Sequence, residues 1–452
     1  MRGIYKRMPK SSLPLFFALA ALLPFIGACS PAKMEHGLSE LKPVVRQIHF
    51  TEGPSARSHI QTALDVKRRR WLAYGGLDAE NRSLGDLWSL DLKTFQWRLE
   101  SSAPTDINDL RPLGRHGGRA HYDARFDGFF LFGGLFNVRD AAGRIRENVL
   151  SDSWAWHANR KAQEENSWQM FCPTSIHDAL VLPHDKRLPW GFFEPGYRTY
   201  YLLGGGVGEK YQRPDDLSVA EAPATEPADL PESPLIYKLS FRANPRWERL
   251  LPNPDKTSGL GLPDPIAPAG AYDPDKKTVW LYGGWERDEN DVWQYSDKLW
   301  RYSGNQNTWT FVEPNGKVRP PALVGAAAFW NKTGRCLIVV GGHAAGEMRS
   351  VPRVWLWLTE SAEWRDLSAI AGLPTADGTT WRGGIFAAVE ADFREKRLLV
   401  FGGRRVKPLA ARPVSADAEN QTDSSAGPAL DAAVALEPTN ELWLFEKLPL
   451  TN

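Results

Sequence analysis

Six short apolar runs, each closed by a pair of glycines, set the rhythm of this sequence. They are Trp71–Gly76, Phe129–Gly134, Tyr200–Gly205, Val279–Gly284, Leu337–Gly342 and Leu398–Gly403. Self-similarity of this kind marks an array of small supersecondary units rather than a set of unlike domains. After each pair comes a short segment holding an aromatic: Asp86-Leu87-Trp88, Asp152-Ser153-Trp154, Leu235-Ile236-Tyr237, Lys298-Leu299-Trp300, Arg353-Val354-Trp355 and Glu441-Leu442-Trp443. Five units carry a second tryptophan further on, at Trp97, Trp168, Trp247, Trp309 and Trp364. Ahead of each pair lies another strand, joined by a tight turn such as Tyr272-Asp273-Pro274-Asp275 or Asn331-Lys332-Thr333-Gly334. Each unit therefore reads as four strands, a to d, with the glycine pair ending strand b.

A four-stranded sheet cannot bury both its faces alone. Stacking six such sheets around an axis buries them and leaves only short edges. The expected fold is all-β: a six-bladed β-propeller of antiparallel four-stranded blades. A glycine pair, a spaced aromatic and then a Trp resemble the kelch repeat, over roughly residues 44–446. The resemblance implies a kelch propeller of the bacterial lipoprotein kind. The glycine pair fits a backbone that needs positive φ or close approach to a neighbour. The tryptophans fit the space between blades. The last unit runs out after Leu442–Phe445, without a strand d. Val44–Phe50 alternates like a strand and precedes the first strand a. The N-terminal strand is thus predicted to complete the sixth blade, closing the ring and removing an open edge.

The start of the chain reads as an address. Arg2, Lys6, Arg7 and Lys10 precede an apolar run, Ser11–Gly27, broken by Pro14 and Pro24. That run is shorter than the ~20 residues of a comfortable membrane span. It ends in Ile26-Gly27-Ala28-Cys29, which resembles a bacterial lipobox. The resemblance implies a signal peptide over 1–28, lipidation of Cys29, a tether over 29–43 and a tail over 447–452. Ser30, rather than Asp, resembles the Gram-negative pattern for sorting to the outer membrane. Lys and Arg total 55 against 54 Asp and Glu, which gives no global reason to expect a nucleic-acid partner. The membrane is expected only through the lipid. Cys172 and Cys336 fall in strand d of the second unit and strand b of the fifth. These are opposite blades, and a disulfide needs Cα atoms within ~7 Å, so both are expected unpaired.

Strand direction alternates, so the d–a and b–c connections share one face of the ring. Nearly all length variation sits there. Inserts over about 207–234 and 404–440 are long, and Asn137–Asn148 is intermediate. Long loops on a stiff base are a usual place for recognition. In the d–a loops Arg57, Arg115 and Arg187 precede a glycine pair by similar distances, and Arg382 lies near the equivalent place in the sixth unit. His59, His116, His177 and Trp381 are close by in sequence. One reading is a basic channel mouth that binds an anionic small molecule such as an acidic sugar, since the planar fork of Arg suits a carboxylate. The other is that these arginines tie neighbouring blades through backbone carbonyls, as is common in kelch repeats. Both remain open on the sequence.

No HExxH or CxxC spacing is present, so no metal and no cofactor is expected. Gly204–Gly208 resembles a phosphate loop only loosely, lacking the following Lys-Ser/Thr. No GxSxG elbow occurs. The leading expectation is an envelope-anchored module that binds a protein or glycan through its loop face. The alternative is enzymatic: exported bacterial sialic-acid mutarotases resemble this architecture. That resemblance implies anion-holding arginines, among Arg57, Arg115, Arg187 and Arg382, and a proton carrier such as His177 or His59. No motif assigns catalytic residues.

Overall fold

The structure is a computed structural model that describes residues 43–105, 109–139, 143–157, 168–172, 188–194, 199–205, 236–240, 246–254, 258–288, 292–408 and 434–448. The signal-like segment, Cys29, His177, Arg187, the insert at 207–234 and most of the insert at 404–440 lie outside the described residues.

The chain opens with β1 (Val44–Ile48). Blade 1 is β2 (Gln61–Asp65), β3 (Arg70–Leu77), β4 (Ser83–Asp91) and β5 (Trp97–Ser101). Blade 2 is β6 (Arg119–Asp123), β7 (Gly128–Arg139), β8 (Ile145–His157) and β9 (Trp168–Cys172). Blade 3 is β10 (Trp190–Glu194), β11 (Thr199–Leu203), β12 (Ile236–Ser240) and β13 (Arg246–Leu250). Blade 4 begins with β14 (Ala269–Asp273) and β15 (Thr278–Tyr282). A small ribbon follows, β16 (Trp285–Arg287) with β17 (Trp293–Tyr295), before β18 (Leu299–Ser303) and β19 (Thr308–Phe311) finish the blade. Blade 5 is β20 (Leu323–Asn331), β21 (Cys336–Ala344), β22 (Val354–Leu358) and β23 (Glu363–Asp366), trailed by the short helix α1 (Ser368–Ala371). Blade 6 contains β24 (Ala388–Asp392), β25 (Arg397–Phe401) and β28 (Leu442–Glu446). Between the last two stands a second ribbon, β26 (Arg404–Pro408) with β27 (Val434–Pro438), so both ends of the 404–440 insert are paired strands.

The sixth blade closes as the sequence predicts. β1 pairs antiparallel with β28, from Val44 opposite Glu446 to Ile48 opposite Leu442. All six blades are four-stranded and antiparallel. Strand b lies in mid-blade with a neighbouring blade over each face. It therefore reads as a continuous apolar run, and every residue of β3, β15, β21 and β25 is buried. The core lies between blades. Trp71 and Trp97 of blade 1 pack with Phe401 and Leu442 of blade 6, and Leu72 and Tyr74 pack with Phe129 and Trp168 of blade 2. Phe132 stacks on Tyr200 at 3.7 Å across blades 2 and 3. Truncating such a ring to Ala costs about 3–5 kcal/mol. Cys336, in β21, is a buried free thiol, pushed up to about 12 by burial.

The glycine pairs are where each blade docks on the next. Gly75 and Gly76 have φ of 64° and 112°. The Gly76 N–H donates to Arg115 O of blade 2 at 2.9 Å, and a Cβ on Gly75 would run into that same carbonyl. The bond recurs from Gly205 to Pro265 O, Gly284 to Leu323 O, Gly342 to Gly384 O and Gly403 to Arg57 O, at 2.7–3.0 Å. A second set of bonds circles the axis through His59, Gly117, Leu188, Ala267, Gly325 and Phe386, all with positive φ. Gly117 N–H donates to His59 O, His59 to Phe386 O, Phe386 to Gly325 O, Gly325 to Ala267 O and Ala267 to Leu188 O, at 2.9–3.4 Å.

Candidate functional site

Arg57 and Arg115 do not open onto the channel mouth. Arg57 is buried and grips Asp86 with both ends of its fork, at 2.6 and 2.9 Å. Its remaining donors reach Gly75 O, Ser55 O and Ser55 Oγ. Arg115 repeats this with Asp152, at 2.5 and 2.8 Å, and with Gly133 O and Leu113 O. Each carboxylate also accepts from the strand-c tryptophan, Trp88 or Trp154. Blades 4 and 6 keep the carboxylate and indole but change the cation. Glu286 takes Trp300 and Lys298, and Glu441 takes Trp443 and Arg405. Burial pushes the Asp86 and Asp152 carboxyls up, but the arginine beside each outweighs it, so both stay below the usual carboxylate range. These arginines bind their own blade, and their forks are spent there.

A different polar group sits on the loop face, at the junction of blades 6, 1 and 2. It is placed by a recurring bridge: the residue before each positive-φ position pairs with the residue after the glycine pair. Ser58 pairs with Leu77, His116 with Leu135, and Ile385 with Arg404. Arg404 Nε donates to Ser58 Oγ at 3.1 Å, and Ser58 Oγ lies 2.9 Å from His59 Nδ1. Arginine only donates, so Ser58 Oγ accepts from Arg404, and the direction of its bond with His59 Nδ1 is set by the imidazole tautomer. His116 is held in the same way: Ser83 Oγ accepts from Asn137 N at 3.0 Å and lies 3.1 Å from His116 Nδ1, while His116 Nε2 lies 3.8 Å from Glu147 Oε1.

The His59 ring stacks on Phe386 at 3.8 Å and meets His116 edge-on at 5.7 Å. Burial, helped by His116 and Arg404, holds the His59 imidazole well below its ordinary pKa, so it is neutral. Arg404 Nη2 donates to Asp78 O at 3.0 Å and to Asn81 Oδ1 at 2.8 Å. Among the described residues no carboxylate bonds to Arg404, and its Nη1 has no partner. Burial lowers its pKa, with only the Asp78 charge opposing. Among the described residues the free donor of this cluster is Arg404 Nη1, with the His59 ring beside it. A guanidinium donor so placed is suited to an anion.

Of the sequence candidates, His59 and His116 come together here. Trp381 is buried edge-on against Phe445 at 5.2 Å, and Arg382 is exposed. Arg404, Ser58, Ser83, Asn81 and Glu147 were not among the candidates. Arg404 alone carried a signal: it follows Gly402-Gly403, where other units have Leu77, Leu135, Trp285 and His343. Among the described residues no group of three His, Cys, Asp or Glu is placed to hold a metal.

No protein-family model matches the chain, and no curated protein matches it. Among solved structures, one described as the structure of YjhT is 12% identical, with a TM-score of 0.47, over 86% of this chain and 99% of that one. What fold and geometry define is a six-bladed β-propeller with a polar cluster around Arg404 and His59 on its loop face.

Proposed function

We propose that this chain is a lipid-anchored envelope protein whose loop face binds a carboxylated glycan. One observation carries the reading: Arg404 is half-buried beside His59 with no carboxylate of its own among the described residues. A guanidinium in that setting gains from an incoming carboxylate, because the desolvation cost is already met in the free protein. The His59–Phe386 stack supplies an apolar face of the kind a sugar ring lies on. The anchor would be Cys29.

The test is a thermal-shift titration of the soluble form, starting at Ser30, with acidic and neutral monosaccharides. A rise confined to acidic sugars, lost in Arg404→Ala with the unliganded melting temperature kept, supports the reading. No rise with any acidic sugar, while a protein partner crosslinks on the loop face in envelopes, overturns the glycan and leaves a protein-binding propeller.

A second reading is a mutarotase for an acidic sugar. It is favoured by the neutral His59 next to Arg404, since opening a hemiacetal needs a proton carrier beside the anion clamp. Anomer exchange followed by NMR decides it: no rate above the uncatalysed one at saturating protein would sink the enzymatic reading and leave binding intact.

A further inference from the structure

The a–b and c–d turns share the face opposite the loops. Strand a of one blade lies against strand a of the next, β2 against β6 and β24, and β14 against β20, so the a–b turns form the inner ring of that face. Where strand a ends, a buried aspartate turns inward to cap the turn. Asp65 Oδ1 accepts from Lys67 N and Arg68 N, Asp123 Oδ1 from Arg125 N, and Asp273 Oδ1 from Asp275 N and Lys276 N. The cations of the turns are left outside. Arg125, Lys276 and Lys396 are exposed and have no ion pair among the described residues. Lys67 and Arg394 are exposed too, with their nearest acids, Asp127 and Glu395, 3.9 and 3.8 Å away. Lys332 meets Asp275 at 2.9 Å, but both side chains are more than half exposed. Pairs of this kind contribute little. Two apolar side chains stand among these cations: Val66 and Phe126, on the a–b turns of blades 1 and 2, are 58% and 41% exposed.

Cations contributed by blades 1, 2, 4, 5 and 6 to one face form a broad array. No small anion touches them all, whereas a plane of anionic headgroups does. The chain also enters the ring on this side. β1 runs against strand c of blade 6, so Val44 lies opposite Glu446. Two residues beyond, Leu448 N–H donates to Lys396 O at 3.1 Å. Whatever precedes Val44, the Cys29 segment included, therefore meets the propeller close to Lys396. We propose that the a–b turn face docks on an anionic lipid surface, with Val66 and Phe126 set among the headgroups and the loop face turned away from the membrane. This contact is additional to a lipid on Cys29 and independent of the Arg404 reading.

Flotation of the unlipidated soluble chain, starting at Ser30, with vesicles of phosphatidylcholine with and without phosphatidylglycerol tests this. The expected result is capture by the phosphatidylglycerol vesicles alone, weakening as salt is raised. Arg125→Glu, Lys276→Glu and Lys396→Glu together should weaken capture at least about tenfold, whereas Arg139→Glu on the loop face should not. No capture of the parent chain by phosphatidylglycerol vesicles overturns the proposal even if the triple variant fails to fold. Equal capture by neutral vesicles, or a folded triple variant captured as well as the parent, also overturns it. Capture on heparin without capture on vesicles would assign the face to a soluble polyanion. A dimer in light scattering that the triple variant abolishes would assign it to a second copy of the chain, and either result overturns the lipid surface. No sugar and no lipid anchor enter these measurements, so their failure leaves the carboxylated-glycan reading standing.

Discussion

Arg57 and Asp86 form a two-bonded ion pair at 2.6 and 2.9 Å, with the guanidinium only 3% exposed. Asp86 is also the acceptor for the Trp88 indole, at 2.6 Å. The pair joins the loop entering blade 1 to the start of strand c. Removing one partner strands the other charge, so Asp86→Ala should lose about 3 kcal/mol. Replacing both, as Arg57→Met with Asp86→Leu, should recover much of that, because two apolar groups leave no orphan charge. Urea unfolding midpoints of the three proteins check it. A single variant no less stable than the double would contradict the account.

The two glycines of a pair should differ sharply from a glycine in open space. A Cβ at Gly75 meets backbone, Arg115 O and Leu84 O, and the residue sits at φ 64°. Gly75→Ala should therefore cost at least about 2 kcal/mol, from strain and overlap with atoms that cannot step aside. Gly143 has φ 79° but nothing within 4 Å, so Gly143→Ala should cost only about 1 kcal/mol. Equal melting temperatures for the two variants would mean that blade docking does not govern the pair.

The blades, their order and the ring closure were legible because each rests on a local pattern repeated six times. Gly75-Gly76 and its counterparts mark strand b, and Trp88 and its counterparts mark strand c. The ring of positive-φ residues was not legible. Only Gly117 and Gly325 of its six members are glycine, while His59, Leu188, Ala267 and Phe386 are held there by bonds to the neighbouring blade. The site was legible in part. His59 and His116 stood out by type, but Arg57 and Arg115 drew attention through a spacing that serves the blade itself. Their acids, Asp86 and Asp152, are 29 and 37 residues away. Arg404 reaches Ser58 across 346 residues of sequence, a contact that exists only once the ring has closed.

The neutral His59 gives stability a pH dependence with a fixed sign. Its folded pKa lies well below that of the unfolded chain, ordinarily about 6.5. Below that pH the unfolded chain binds the proton and the folded one does not, so stability falls as pH drops from about 6.5 toward the folded value. His121, held down to about 4 by burial, acts in the same direction. His59→Asn keeps a residue that tolerates the local φ of 54° but cannot titrate. Melting temperatures at pH 7.5, 6 and 5 should fall less steeply in this variant than in the parent. Parallel curves would show that His59 charges freely in the fold.

The closure by β1 makes the final prediction. Val45 of β1 is 3% exposed, while the Arg46–Glu446 ion pair across the seam is open to solvent. The seam is therefore held by the strand ladder and by burial of Val45, the ion pair adding no more than about 1 kcal/mol. Arg46→Ala should leave the melting temperature almost unchanged. Val45→Asp should lower it by several degrees, since it places a carboxylate where no partner waits. A chain beginning at Thr51 would leave the outer edge of β28 unpaired. Such an edge recruits other strands, so this form should melt earlier and self-associate in light scattering, whereas one beginning at Pro43 should stay monodisperse. If both forms behave alike, the sixth blade does not depend on β1 for its fourth strand.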